Sequence, residues 1–349
     1  MTPNSTLYDG ECTERDAPGR FGVAIGRHAA GAQRLIRYML WRIAQAGAVL
    51  WLSYTLTFIA ISLLPSNPID ILAANDAGII DAKTVEQMKI YYGYDHNVVE
   101  RYFIELRHVL QGGLGYSMST GQTVTQAITD AAPPTLRLTA TAFSAALVIV
   151  ALVVSTASLG RWLWLRDLAV VLPPIFAAAP VFWVGIVVLN VLSFQWHLIS
   201  VFPDGSFLSI LVPSVVLALP LSAAFAQVLL KSVETVYASD FIDIVRAKGA
   251  GPYWVFFRHV VRNAAAPGLT VAGNVLGTLV GGTVVTETVF ARAGIGRVLQ
   301  VAVAQQDTSL VQGFILITAG VYVAVNLLID LLYPVLDPRI LLPPGADRA

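Results

Sequence analysis

Six stretches of the chain are apolar and long enough to cross a hydrocarbon layer about 30 Å thick, which takes roughly 20 helical residues. The first runs from Tyr38 to Leu64 and stops at Pro65, Asn67 and Pro68, residues that break a helix and suit an interfacial turn. The second, Leu136 to Leu159, is entered through Pro133 and Pro134, a placement that suits a helix start. Leu168 to Phe194 carries Pro173, Pro174 and Pro180, so a kinked or late-starting helix is expected there. The fourth stretch, Leu208 to Leu230, holds Pro213 and Pro220; Gly268 to Phe290 and Leu310 to Tyr333 complete the set. Carbonyls freed by these prolines find no donor in lipid, which places the third and fourth stretches inside a bundle. In the fifth, Gly273, Gly277 and Gly281 recur at every fourth position beside Gly282, the spacing of a close helix crossing.

The pattern predicts an all-α polytopic membrane protein with six transmembrane helices. Lys and Arg near the span ends orient it. If both termini are cytoplasmic, fifteen of the 22 basic residues lie on the inner side, including Arg161, Arg166, Lys231 and Arg246, and seven, such as Lys83, Arg107 and Arg292, on the outer. The expected organisation is a cytoplasmic tail (1–36), a first helix (37–65) and an extracytoplasmic helical insert (66–134). A transmembrane domain with the other five helices (135–334) and an inner loop (231–267) follows, and then a short cytoplasmic tail (335–349).

Composition agrees: 56% of residues are hydrophobic and 13% charged. Acids and bases cancel to a formal charge of zero, so no global field recruits nucleic acid. Cys12 is the sole cysteine, which excludes an internal disulfide and a multi-cysteine metal site. Residues 1–34 mix acids with bases and contain no apolar core of a signal peptide, so a mobile cytoplasmic tail is expected. No G-x-x-x-x-G-K-[ST] phosphate loop and no His-Glu-x-x-His helix occurs, and Gly294-Ile-Gly296 lacks the third glycine of a dinucleotide turn. The expectation is therefore no catalytic, cofactor-binding or metal-ligating residue in this chain.

Two polar segments carry the remaining information. In the insert, Asp81 can cap a helix that runs to Tyr92 and ends at Gly93; a second helix puts Val99, Tyr102, Phe103, Leu106, Val109 and Leu110 on one face and stops at Gly112 and Gly113. In the inner loop, Asp240 can N-cap a short helix whose Phe241, Ile244, Val245 and Lys248 share a face before Gly249 ends it. Gly251 and Pro252 begin another, with Tyr253, Trp254, Phe256 and Phe257 suited to an interface and Arg258 and Arg262 one turn apart. Taken alone, such an elbow could also be a lipid-surface anchor.

Inside the spans, Glu287 and Asn274 are the candidates for a pathway or gate. For Glu287 the alternative is capping the backbone of Gly294 to Gly296; for Asn274, as for Asn190, Gln227 and Asn326, it is a bond between helices. Asp330 suits a structural pair near the end of the last span.

The stretch Asp240-Phe-Ile-Asp-Ile-Val-Arg-Ala-Lys-Gly249, followed by Phe257-Arg258-His259 and Arg262-Asn263-Ala264 before Pro267, resembles the coupling-loop signature of bacterial ATP-binding-cassette importer permeases of type I. More narrowly, the chain is similar to the first (B-type) permease of the dipeptide, oligopeptide and nickel family, through Leu63-Leu64-Pro65, Gly113-Leu-Gly-Tyr-Ser117, Glu287-Thr-Val-Phe290 and Asp337-Pro338-Arg339. The likeness covers residues 35 to 342. It departs at Asp243-Ile244-Val245, where the general signature begins Glu-Ala-Ala, and at Ala293, where proline is usual.

The resemblance implies a bacterial inner-membrane, multi-pass permease for di- or oligopeptides, or alternatively for nickel or a metal chelate. Its partners would be a second homologous permease, two ATPase subunits that hold ATP and Mg, and an extracytoplasmic solute-binding protein. Asp240, Phe241, Asp243, Ile244, Val245, Arg246, Ala247, Lys248 and Gly249 would form the helix that seats in the ATPase, supported by Arg258, His259, Arg262, Asn263 and Pro267. A stand-alone secondary transporter or intramembrane enzyme would instead need several midplane ionisable groups, inverted repeats or a catalytic pair, and none is evident.

Overall fold

The computed structural model describes residues 20–63, 69, 82–92, 94 and 96–336, without some side chains, among them those of residues 20–36, Asn274 and Asp330. Expectations for residues 1–19, the turn at Pro65, Asn67 and Pro68, Asp81, Gly93 and residues 337–349 lie outside the described residues. Helices are the only extended regular elements among those described, beside one isolated bridge between Tyr116 and Thr123.

Helix α1 (Arg20–Ser62) begins well before Tyr38, so part of the expected tail is helical. Its Ala-rich, proline-free sequence accounts for that. The insert contains α2 (Ala82–Tyr91) and α3 (Val98–Leu110). Helix α4 (Val124–Leu159) corrects the expected start at the Pro133–Pro134 pair: Thr123 is the N-cap, accepting from the Gln126 amide at 3.2 Å, and both prolines lie inside. Burial of Val124, Ile128 and Ala131 in one cluster with Leu310, Val311 and Phe314 offsets the helix bonds the prolines remove.

The third expected span is bent further than a kink. Helices α5 (Leu163–Ala178) and α6 (Val181–Leu189, continued by a π-helical turn Asn190–Gln195) meet at 100°. Ala179 has φ −83° and ψ 121°, the extended conformation that a following proline imposes. Neither piece has the roughly 20 residues a crossing takes.

Helix α7 (Phe207–Tyr237) is followed by α8 (Asp240–Ala247) and α9 (Pro252–Val255), which passes through a π-helical turn (Phe256–Val260) into α10 (Val261–Val289). Helices α11 (Ile295–Ala304) and α12 (Thr308–Leu336) close the chain. Among the described residues, four helices are long and apolar enough to cross a membrane: α1 from Met39, α4, α7, and α12 to Leu328; the bent α5–α6 pair makes a fifth if it is one span. Helix α10 contains the stretch from Gly268 to Val289, with many of its side chains outside the description.

Helix α7 packs against α4, α5 and α10, while α1 lies on α12. The core is stacked along the bundle. A cluster with Val153, Phe225, Ile242, Phe256 and Val260 sits at one end, a layer with Leu138, Leu217 and Leu279 in the middle, and the Val124–Phe314 cluster at the other end. The expected close crossings appear at Gly277, where a Cβ would meet the Tyr322 ring at 2.6 Å, and at Gly282, where it would meet Leu217 at 2.8 Å. Asn190 and Asn326 depart from the expected interhelical bonds. Asn190 accepts from Gln195 Nε2 within its own turn, and Asn326 donates to the Tyr322 carbonyl one turn earlier. A polar side chain with a local acceptor in reach satisfies itself at less entropic cost than across a helix pair.

Candidate coupling and latch sites

Helix α8 sits at the tip of a helical elbow. Ser239 rather than Asp240 occupies its N-cap position, and the Ser239 hydroxyl turns back to the Val236 carbonyl; Asp240 and Asp243 lie in the first turn, where their charge favours the positive helix end. Gly249 ends it with φ +84°, its amide on the Arg246 carbonyl at 2.9 Å, a left-handed stop that suits glycine. Gly251 and Pro252 then restart the chain, as the N-cap and first residue of α9.

The elbow is held to the bundle by Ile242, fully buried beside Val255, Phe256 and Val260. Sequence reasoning missed Ile242 and placed Phe256 at an interface, whereas Phe256 is core: the π-helical turn shifts the register of the helix by one residue, so periodicity alone could not place it. With Ile242 turned inward, Phe241 and Ile244 are turned out, 39% and 58% exposed. Tyr253, Trp254 and Phe257 are exposed on the second limb. His259 bridges the limbs, its ring 4.7 Å from Trp254 and 6.5 Å from Phe241. Arg246 pairs with Asp243 at 3.7 Å and lies over the Tyr237 ring; Lys248, Arg258 and Arg262 are exposed, and Asn263 donates to the His259 carbonyl. Pro267 lies exposed within α10.

At the opposite end, Glu287 is fully buried and braces a loop. Its Oε1 accepts from Thr135 Oγ1 at 2.6 Å, and its Oε2 from the amides of Gly296 (2.8 Å) and Arg297 (3.4 Å) at the start of α11. Thr135 Oγ1 in turn accepts from the Ile295 amide at 2.8 Å. Of the two readings of Glu287, this is the loop-capping arrangement; the Asn274 side chain lies outside the described residues. The approach is so close that a Cβ on Gly294 would overlap the Glu287 carboxylate, and one on Gly296 would overlap the Val284 backbone. Gly296→Ala is therefore expected to leave little folded protein in the membrane, measured as detergent-extractable monomer, because the Val284 backbone cannot swing aside.

Two neighbouring residues escaped the sequence reading. Arg292 is buried and donates from Nη1 to the Ser209 carbonyl at 2.6 Å. That carbonyl is the one Pro213, four residues on and lacking an N–H, leaves without a helix partner. Asp307 is 1% exposed and takes four bonds: Ser117 Oγ (2.6 Å), Ser119 Oγ (2.9 Å) and Ser119 N (3.0 Å) on Oδ2, and Leu310 N (3.2 Å) on Oδ1. It caps α12 and pins the loop after α3. The signal was present as Asp307-Thr-Ser-Leu310 before an apolar run, an N-cap pattern. On α3, Arg101 donates to Ser62 Oγ at 2.9 Å and lies 3.5 Å from Glu105; burial pushes the Glu105 carboxyl above its ordinary range, with Arg101 opposing.

The elbow is thus an amphipathic tip that buries Ile242 and exposes its apolar neighbours, joined to helices braced at the far end. The family described as binding-protein-dependent transport system inner membrane component matches residues 148–342, a region that includes the elbow and the Glu287 loop. The chain belongs to this family. A protein named as a peptide transport system permease of Brucella abortus is 32% identical to this permease over 310 residues, covering 86% of this chain and 98% of the relative. The glutathione transport system permease protein of Escherichia coli is 28% identical over 306 residues, with 88% and 99% covered, and that of Salmonella typhimurium is equally similar. The chain is thus a multi-pass permease of the bacterial inner membrane, a transport subunit of the peptide, oligopeptide and nickel importer family.

Proposed function

We propose that this permease imports di- or oligopeptides, forming the pathway with a second homologous permease and taking its energy from two ATPase subunits that hold ATP and Mg. A solute-binding protein outside delivers the cargo. Both termini are cytoplasmic and six helices cross, the α5–α6 pair counting as one, an orientation supported by the excess of Lys and Arg on the elbow side. The observation that carries the reading is α8 itself: anchored at Ile242, it holds Phe241 and Ile244 outward as an apolar plug for a groove, with Lys248 beside them for an acidic rim. Closure of the ATPase pair would drive the elbow, and the helices behind it, as a rigid body.

Peptide leads over nickel because relatives carry the names peptide and glutathione, and glutathione is itself a peptide. The test is uptake of labelled dipeptide and of nickel in a strain lacking this chain. Loss of energy-dependent dipeptide accumulation, restored by the intact gene, is the expected result. Loss of nickel accumulation with dipeptide uptake intact would transfer the cargo to a metal.

A further inference from the structure

Helix α3 presents an apolar stripe that nothing among the described residues covers. Val99, Phe103, Leu106 and Leu110 follow one another at helical spacings of four, three and four, and Val99, Phe103 and Leu110 are 67%, 62% and 79% exposed. The face expected to pack as one apolar surface is therefore divided: Tyr102 and Val109 turn toward the bundle with buried Arg101, Val99, Phe103 and Leu110 turn away, and half-buried Leu106 lies at the boundary. Glu100 and Arg107 lie along the far edge of the exposed stripe.

Depth decides what covers it. Tyr102 Oη meets Thr55 Oγ1 at 2.8 Å, its ring lies 5.2 Å from Phe58, and the Arg101 guanidinium, 5.0 Å from the Phe58 ring, reaches Ser62. These three α1 residues belong to the last turns of the membrane-crossing segment Met39–Ser62. Twenty-four residues at about 1.5 Å each exceed a hydrocarbon layer of about 30 Å by only a few ångströms at either end. Thr55, about 10 Å from Ser62 along the axis, is then within the hydrocarbon, and the Phe58 level is near its boundary. A hydroxyl at that depth needs a protein partner; Thr55 donates to the Trp51 carbonyl at 2.8 Å and is left to accept from Tyr102. The exposed face of α1 beside it, with Leu52, Leu56 and Ile59, is apolar and open in the same way.

We propose that α3 is a membrane-surface helix, its Val99–Phe103–Leu106–Leu110 stripe immersed in the leaflet nearest the α1 C-terminus and its Glu100–Arg107 edge at the headgroups. The inference rests on α1 crossing the membrane and is independent of cargo or motor. It gives the insert a role, as a float that fixes the height of the loop pinned by Asp307 relative to the bilayer.

The experiment uses the full-length chain in lipid nanodiscs with Cys12→Ser, so that single cysteines can be spin-labelled without background. Labels at Val99→Cys, Phe103→Cys and Leu110→Cys are compared with Leu56→Cys on α1 and Glu100→Cys on the polar edge, reading collision with oxygen against a water-soluble nickel complex. Oxygen-dominated relaxation at 99, 103 and 110, with depths about 5–10 Å below the headgroups, is the expected result, and nickel-dominated relaxation at 100. Nickel access at 103 and 110 would put the stripe in water and overturn the proposal; low access to both reagents would put it under protein, and overturn it equally. The three positions are exposed, so a label at any of them leaves the core intact.

Discussion

Ile244→Asp is expected to abolish ATP-driven uptake while leaving the permease at its normal level in the membrane. Ile244 is largely exposed, so the chain alone loses little burial when its side chain becomes charged. Docked in a groove, the same residue would be desolvated, and a central apolar anchor of an interface contributes about 2 kcal/mol or more, roughly a 30-fold change in affinity. The carboxylate adds its own desolvation cost. The contrasting variant is Ile242→Asp, one turn-face away and fully buried, which should remove the protein itself. Gly249→Ala is intermediate: nothing lies within 4 Å of a Cβ there, so the cost of about 1 kcal/mol is confined to the left-handed backbone and is felt as a misdirected elbow. Uptake assayed in cells, with membrane level by immunoblot, separates the three. Wild-type transport by Ile244→Asp would sink the docking role of α8 and leave the elbow a lipid contact.

Asp307→Ala should strongly destabilise the opposite end. It leaves the Ser117 and Ser119 hydroxyls and the amides of Ser119 and Leu310 without their acceptor, in a site where Ser117 is fully buried and Ser119 half-buried. Buried donors stripped of a charged partner cost about 3–5 kcal/mol together, given that such losses are not additive. The expected readouts are a thermal midpoint lowered by many degrees in detergent and new protease cleavage in the loop around Gly113 to Gly121. Asp307→Asn preserves shape but turns an amide donor toward one set of donors, so it should fall between alanine and wild type. An unchanged midpoint with the loop still resistant to protease would show that the cap holds nothing together.

Much of this architecture is legible in the residue pattern because lipid imposes length and apolarity on each span, and because Pro, Gly and Ser/Thr punctuate the ends. The elbow follows from Gly249, Gly251 and Pro252, whose backbone preferences are local. Less legible is anything set by register or by distant partners. The start of α4 at Val124 depends on what Val124 and Ile128 bury against α12, nearly two hundred residues away, and that outweighed the two prolines. Phe256 opens a π-helical turn that is invisible to a 3.6-residue period, and the inward turn of Ile242 is set by the cluster it joins with Val255, Phe256 and Val260, on another limb of the chain. Glu287 could be reduced to two roles from sequence, but only the approach of Gly294 and Gly296 brings its carboxylate onto the loop amides.

Pro213 has a consequence for how the mouth of the bundle could open. The acceptor that Arg292 holds belongs to no helix bond, so breaking that contact unwinds nothing: α7 has already done without it. A tether of this kind can be cast off and retaken in each cycle with the rod it ties to left whole. With alanine at 213, the rod would reclaim its own oxygen and the rope would have no cleat.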